Sequence, residues 1–142
     1  MKTGELHQLF LKTSRMHYRC SQTKLLKSGI TPGQPRILNF LYEHDGCIQR
    51  ELSKSCDLKP ATVTNILAGM EKADLIFRIN DSTDRRILRV FLTDKGTQAQ
   101  QKLDRVFAAL EKDCFEDYSD QEKEAMHIFL DRIYFNLKKM EE

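Results

Sequence analysis

Apolar side chains recur along this chain mostly at three- and four-residue steps. Leu6, Leu9, Phe10, Thr13, Met16, His17 and Cys20 follow that spacing, which predicts an amphipathic helix from about Gly4 into the mid-twenties. Ser28-Gly29 breaks it. Thr31 as N-cap, Pro32 at the first helical position, Gln34 three residues after the cap and Ile30 just before it read as a capping box with a hydrophobic staple. A second helix with Ile37, Leu38 and Leu41 inside is expected from there, closed by His44-Asp45-Gly46. A short helix carrying Ile48, Leu52 and Cys56 follows, Asp57 marks a turn, and Lys59-Pro60 opens another helix whose inner face is Val63, Ile66, Leu67 and Met70. That spacing leaves Ala61, Thr62, Thr64 and Asn65 on its outer, N-terminal side.

After Asp74 the period changes from helical to alternating. Ile76 and Arg78, then Ile87, Leu88, Val90 and Leu92, predict two strands, and the turn-forming run from Asn80 to Asp84 between them predicts a β-hairpin with a charged tip. Thr93 caps a long helix with Ala99, Leu103, Val106, Phe107, Leu110 and Cys114 on one side. Ser119 and Glu122 form a second capping box, opening a last helix with Ala125, Met126, Phe129, Leu130, Ile133 and Leu137 inside. The stripes of the first and last helices are long for the periphery of one small domain, so they are expected to bury against another subunit.

The chain has 142 residues, one domain's worth at the usual ~100–150, with 40% hydrophobic and 31% charged residues. No stretch approaches the ~18 uncharged apolar residues of a membrane span. Basic residues are scattered through the N-terminus without an apolar block behind them, so no signal peptide is visible and a cytoplasmic protein is expected. The four cysteines, Cys20, Cys47, Cys56 and Cys114, show no C-x-x-C or His/Cys spacing; no metal site is expected, and in a reducing compartment they read as buried, apolar thiols. Glu43, His44 and Asp45 are the one dense acid/base cluster, and a solvated helix end accounts for them better than catalysis. No cofactor and no enzyme activity are expected.

A formal net charge of +2 says little, but its distribution says more. Residues 1–92 carry 15 Lys+Arg against nine Asp+Glu, whereas residues 93–142 carry eight against twelve. Such a split suits a chain with one face for a polyanion, although two ordinary solvated surfaces would also produce it.

A short helix, a tight turn, a second helix opened by proline and a basic hairpin together describe a winged helix-turn-helix. Small and polar residues early in the second helix, here Ala61, Thr62, Thr64 and Asn65, are the type that reaches base edges. Threonine methyls suit thymine methyls, and asparagine suits adenine N6 and N7. Taken alone, the same residues also suit a plain surface helix.

The segment Thr31 to Gly96 resembles the MarR (multiple antibiotic resistance regulator) family of bacterial transcription regulators. DSTDRRILRVFLTDKG looks like that family's wing and the start of its next helix, supported by QREL, TVTNIL…ME and ADLIFR. The resemblance implies a mainly α fold with a small β-hairpin wing, its winged helix-turn-helix lobe at about 31–93 and dimerisation helices at about 4–27 and 94–142, all within a single domain of residues 1–142. It implies a homodimeric, sequence-specific DNA-binding regulator, a repressor released by a small, often aromatic ligand, acting on a pseudo-palindromic operator in double-stranded DNA with no membrane partner. Two recognition helices would then enter major grooves roughly 34–36 Å apart, with the acidic C-terminal portion away from the DNA. Within the family pattern Asp84 orients Arg86 into the minor groove, Arg85 is a phosphate or groove contact, and Arg78, Arg50 and Arg36 are basic positions near the backbone. His17, Tyr18 and Arg36 are candidate ligand contacts, and Cys20 a candidate oxidation sensor. A winged-helix protein-interaction module without DNA readout is the other class this pattern allows. The chain departs from the family at Asp57, where glycine is frequent, at Pro35, at Phe77 and Ile79 in the wing base, and at Asn65, where some relatives carry arginine.

Overall fold

The first periodic stretch forms α1 (Glu5–Lys27), with Gly4 as its N-cap. Within the chain its stripe is not covered: of α1 only Ser21 and Leu25 are buried, while Leu6, Leu9, Phe10, Met16 and Cys20 are exposed. The coordinates are a computed structural model that describes residues 1–141. They divide into two compact units, Met1–Ala108 and Ala109–Glu142.

In the first unit α2 (Gln34–Glu43) begins later than the capping-box pattern places it. Thr31-Pro32-Gly33-Gln34 is instead a turn, closed by the Gln34 N–H donating to the Thr31 carbonyl at 3.3 Å, with Gly33 at φ 89° as N-cap. Proline second and glycine third are what a type II turn demands, and that local preference wins over the threonine cap. Ile30 is buried in the core, and Pro35 sits in the first helical turn, where a proline costs no hydrogen bond.

β1 (Cys47–Ile48) is a strand too short for periodicity to show; Ile48, expected inside the next helix, is its N-cap instead. α3 (Gln49–Ser55) and α4 (Pro60–Lys72) follow, joined by a turn in which Asp57 takes φ 56°. β2 (Ile76–Asn80) and β3 (Leu88–Leu92) form the expected hairpin, with Ile87 in the connection rather than the strand. The result is a three-stranded antiparallel sheet in the order β1-β3-β2, with Val90 opposite both Cys47 and Arg78.

Ile37, Leu38, Leu41, Leu52, Val63, Leu67, Met70 and Val90 are fully buried together, joined by Leu103 from α5 (Asp94–Cys114). Thr93 caps α5 as its sequence implies, its hydroxyl accepting the Gly96 N–H at 2.9 Å. The same hydroxyl donates to the Asp74 carbonyl at 2.6 Å, and the Thr93 N–H donates to the Leu75 carbonyl at 3.1 Å, so the start of α5 is tied to the start of β2.

In the second unit Asp117 turns the chain at φ 64°, and Ser119 opens α6 (Asp120–Lys138) through a complete capping box with Glu122. No residue of α6 is buried: Ile128, Phe129, Ile133, Tyr134 and Leu137 all stand exposed. The thiols divide as well. Cys47 and Cys56 are buried as expected, but Cys20 and Cys114 are exposed: Cys20 lies on the uncovered stripe of α1, and Cys114 is the last residue of α5, one turn beyond the buried Leu110.

Candidate nucleic-acid interface

Helical spacing decides which side of α4 is available. Val63, Leu67 and Met70 drive one face into the core, which leaves Ala61, Thr62, Thr64 and Asn65 exposed on the other, all within the first two turns. Pro60 starts the helix without wasting an N–H. The preceding turn is held by Ser53, whose hydroxyl donates to the Leu58 carbonyl at 2.7 Å while its own carbonyl accepts the Leu58 N–H at 3.1 Å. Beside α4, Gln49, Arg50, Ser53, Lys54 and Pro60 line a shallow groove into which two cationic side chains bring positive charge.

Arg36 does something the sequence does not reveal. Its guanidinium donates to the Cys56 carbonyl at 3.2 Å, and the Cys56 thiol lies 3.5 Å from the Arg36 carbonyl, so Arg36 fastens α2 to the end of α3. His17 and Tyr18 lie exposed on α1, and no hydrogen bond or ring contact joins them to Arg36 among the described residues.

The wing is built around two aspartates. Asp84 receives the Arg86 guanidinium at two points, Nε at 3.0 Å and Nη2 at 3.1 Å, and also accepts the Arg86 backbone N–H at 3.1 Å. The Arg86 side chain is nevertheless 90% exposed. An arginine held in one orientation at a tip open to solvent is thus a feature of the structure as well as of the sequence.

Asp81 was not singled out by its sequence context, yet it organises the loop. It accepts the Thr83 and Asp84 N–H groups at 3.1 Å each, the Thr83 hydroxyl, and Nε of Arg89, whose Nη1 donates onward to the Gly46 carbonyl at 2.9 Å. The Asp81-x-Thr83 spacing is an Asx-turn pattern and was the available signal. Arg78 is half-buried and paired with Glu71 at 2.6 Å, which ties β2 to α4.

These bonds hold the Asp81 carboxyl far below the usual carboxylate range, first through the Thr83 hydroxyl and then through Arg89. Asp84 is lowered too, chiefly by Arg86. A carboxyl depressed in the folded state stabilises it fully above the unfolded value, about 3.9, and loses that contribution as pH falls from there towards the folded value. Thermal melts from pH 7 to pH 3 should therefore show Asp81→Asn less stable than the parent at neutral pH, with the gap closing below about pH 4. Parallel profiles for the two proteins would show that Asp81 is not coupled to the fold.

His44 and Asp45 have structural partners. The His44 ring stacks on Phe40 at 4.4 Å, and Asp45 accepts the Leu92 N–H at 2.9 Å. No cluster of three metal-ligating side chains occurs among the described residues, and none of their helices is long and apolar enough to cross a membrane. Burial pushes the Cys47 thiol up to about 11 and the Cys56 thiol upward as well, which leaves both poor nucleophiles.

A helix-turn-helix with an exposed second helix, a basic groove at its side and an arginine-tipped hairpin define a winged helix-turn-helix regulator. A MarR family model matches residues 28–87. The uncharacterised HTH-type transcriptional regulator YsmB of Bacillus subtilis is 30% identical over 110 residues, 78% of this chain and 75% of that protein. The transcriptional repressor MdtR of the same organism is 34% identical over 70 residues, 49% of this chain and 45% of its own. The structure of Staphylococcus aureus MepR in complex with DNA aligns with a TM-score of 0.80 at 27% identity, covering 92% of this chain and 96% of that one. The chain belongs to the MarR family of transcriptional regulators.

Proposed function

We propose that the protein is a repressor that binds a pseudo-palindromic operator as a homodimer and leaves it when a small ligand binds. The observation that carries the reading is Arg86, fixed at two points by Asp84 and still 90% exposed, on a wing tied through Arg78 and Glu71 to the helix that presents Thr62, Thr64 and Asn65. A narrow minor groove concentrates negative potential and attracts a guanidinium whose freedom is already spent. Arg85 supplements it, and Arg50 and Lys54 in the groove beside α4 face phosphates.

The homodimer reading rests on α1 and on α6, each of which leaves a row of large apolar side chains exposed. Leu6, Leu9, Phe10 and Met16 on one, and Phe129, Ile133 and Leu137 on the other, are what an obligate interface covers. The lobe at about 31–93 would then meet DNA while the helices at about 4–27 and 94–142 hold the dimer. Of the ligand contacts suggested by resemblance, His17 and Tyr18 keep that role in this reading, whereas Arg36 is assigned to holding α2 against α3.

Selection from a random duplex library should return an inverted repeat with half-sites about one helical turn apart. Affinity for it should fall steeply between 50 and 200 mM salt, by roughly 10³-fold or more if six or so phosphates are neutralised. Recovery of no consensus, or affinity indifferent to salt, would favour a protein-interaction module instead.

A further inference from the structure

Gln49 and Thr64 are joined across the helix-turn-helix. The Gln49 side-chain amide donates from Nε2 to Thr64 Oγ1 at 2.8 Å, and the Thr64 hydroxyl donates to the Pro60 carbonyl at 3.0 Å. The two bonds fix each other's sense. A hydroxyl has one proton, and with that proton on the Pro60 carbonyl Thr64 can only accept from Gln49, so the amide must present its NH₂ side. Thr64 is exposed, Gln49 is half-buried, and the bond spans α3 and α4.

The consequence concerns what Thr64 has left to offer a base pair. A free threonine hydroxyl rotates to suit a donor or an acceptor and is a weak discriminator, since it serves several bases. Here the proton is spent within the helix, so Thr64 cannot donate to purine N7, guanine O6 or thymine O4. The χ1 angle is fixed as well, because the hydroxyl is anchored at both the i−4 carbonyl and a neighbouring helix. The group that these bonds leave uncommitted is the γ-methyl, and the major-groove feature that answers a methyl is the C5-methyl of thymine.

On the DNA-binding reading above, we infer that Gln49 is a positioning residue for base readout: it holds Thr64 so that its methyl group, not its hydroxyl, recognises thymine. Gln49 acts through Thr64 and need not touch DNA. The device makes a small, ambivalent side chain selective by occupying its polar half from behind.

The test uses the full-length protein and the duplex recovered by random-library selection, with each half-site thymine replaced in turn by deoxyuridine, which removes only the C5-methyl. For the parent protein one position should weaken by about fourfold per half-site, the value of one buried methyl group. Thr64→Ser, which keeps the hydroxyl bonds and loses the methyl, should abolish that penalty at that position alone. Thr64→Val, which keeps a methyl and needs no anchor, should retain it. Gln49→Ala should reduce the thymine preference in the parent and do nothing further in the Thr64→Val background. Deoxyuridine penalties untouched by Thr64→Ser would overturn the inference, and so would an equal effect of Gln49→Ala in both backgrounds, which would place Gln49 itself on the DNA. Failure to select any duplex would instead sink the DNA-binding reading on which the inference stands. Because both side chains reach the surface, melting temperatures of all variants should stay near the parent's.

Discussion

Arg86→Ala is expected to reduce affinity for the selected operator by about thirtyfold or more while lowering the melting temperature only slightly. The size follows from symmetry: deleting one direct arginine–DNA interaction typically costs about 1–3 kcal/mol, roughly fivefold or more, and in a dimer the substitution deletes it at both wings. The small change in stability follows from exposure, since the side chain is 90% solvent-accessible and its pair with Asp84 is screened by water. Arg86→Lys should not restore binding. A guanidinium can give Nε and one Nη2 proton to Asp84 and still show its other edge to the groove, but an ammonium that pairs with Asp84 has no second edge to present. Titration of fluorescent duplex by anisotropy, with parent and variants at one salt concentration, reads the result directly. Affinity of Arg86→Ala within twofold of the parent would remove the wing from the interface.

How the wing could be read from sequence, and where that reading ran out, follows from the range of the interactions involved. The pairing of Asp84 with Arg86 is what the family resemblance implies, and because the two are two residues apart it is carried by a short motif that needs no knowledge of the fold. Asp81 bonds locally to Thr83 and Asp84 and across the hairpin to Arg89, but the bond from Arg89 to the Gly46 carbonyl bridges β3 to the loop before β1 across 43 residues. The same holds for Arg36, whose partner is the Cys56 carbonyl, a backbone atom that leaves no trace in residue type. Gln49 is the third such residue, invisible until α3 and α4 are set side by side.

The inner faces of the helices were legible for a related reason. Ile37, Leu38, Leu41, Val63, Leu67 and Met70 are where a 3.6-residue period places them, and all are buried within the chain. On α1 and α6 the period is equally plain, but periodicity reports only that a face is apolar, not what covers it. The same ambiguity misplaced Cys20, which sits on such a face, while Cys114 was misplaced because it ends α5 just past the buried part of its stripe; Cys47 in β1 and Cys56 at the end of α3 belong to the core. The start of α2 failed differently. Thr31 satisfies a capping pattern and Pro32-Gly33 satisfies a turn pattern, and the two compete for the same residues; glycine at φ 89° shows that the turn prevailed.

Gly96→Ala is expected to be the most damaging conservative change in the chain. Gly96 lies in the first turn of α5, and a Cβ there would stand 2.0 Å from the Leu75 carbonyl oxygen and 3.0 Å from its carbon. Backbone cannot rotate out of the way as a side-chain end would, so the helix start and the entry to β2 must move apart. That separation strains the hydrogen bonds that Thr93 donates to the Asp74 and Leu75 carbonyls, which seat α5 against the wing's first strand. Overpacking of this kind costs about 1–3 kcal/mol, sometimes more, against which alanine's better helix propensity returns about 1 kcal/mol. A net loss on the order of 2 kcal/mol would lower the melting temperature by roughly 5–10 °C. Gly69 supplies the control, because it is also helical but has open space where its Cβ would be. Gly69→Ala should raise stability by about 0.5–1 kcal/mol from propensity alone. The same substitution at two helical glycines is thus expected to act with opposite sign, and calorimetry on both variants distinguishes steric conflict from propensity. Equal shifts, or a Gly96→Ala protein that melts at or above the parent, would mean that α5 and Leu75 do not approach as closely as the structure places them.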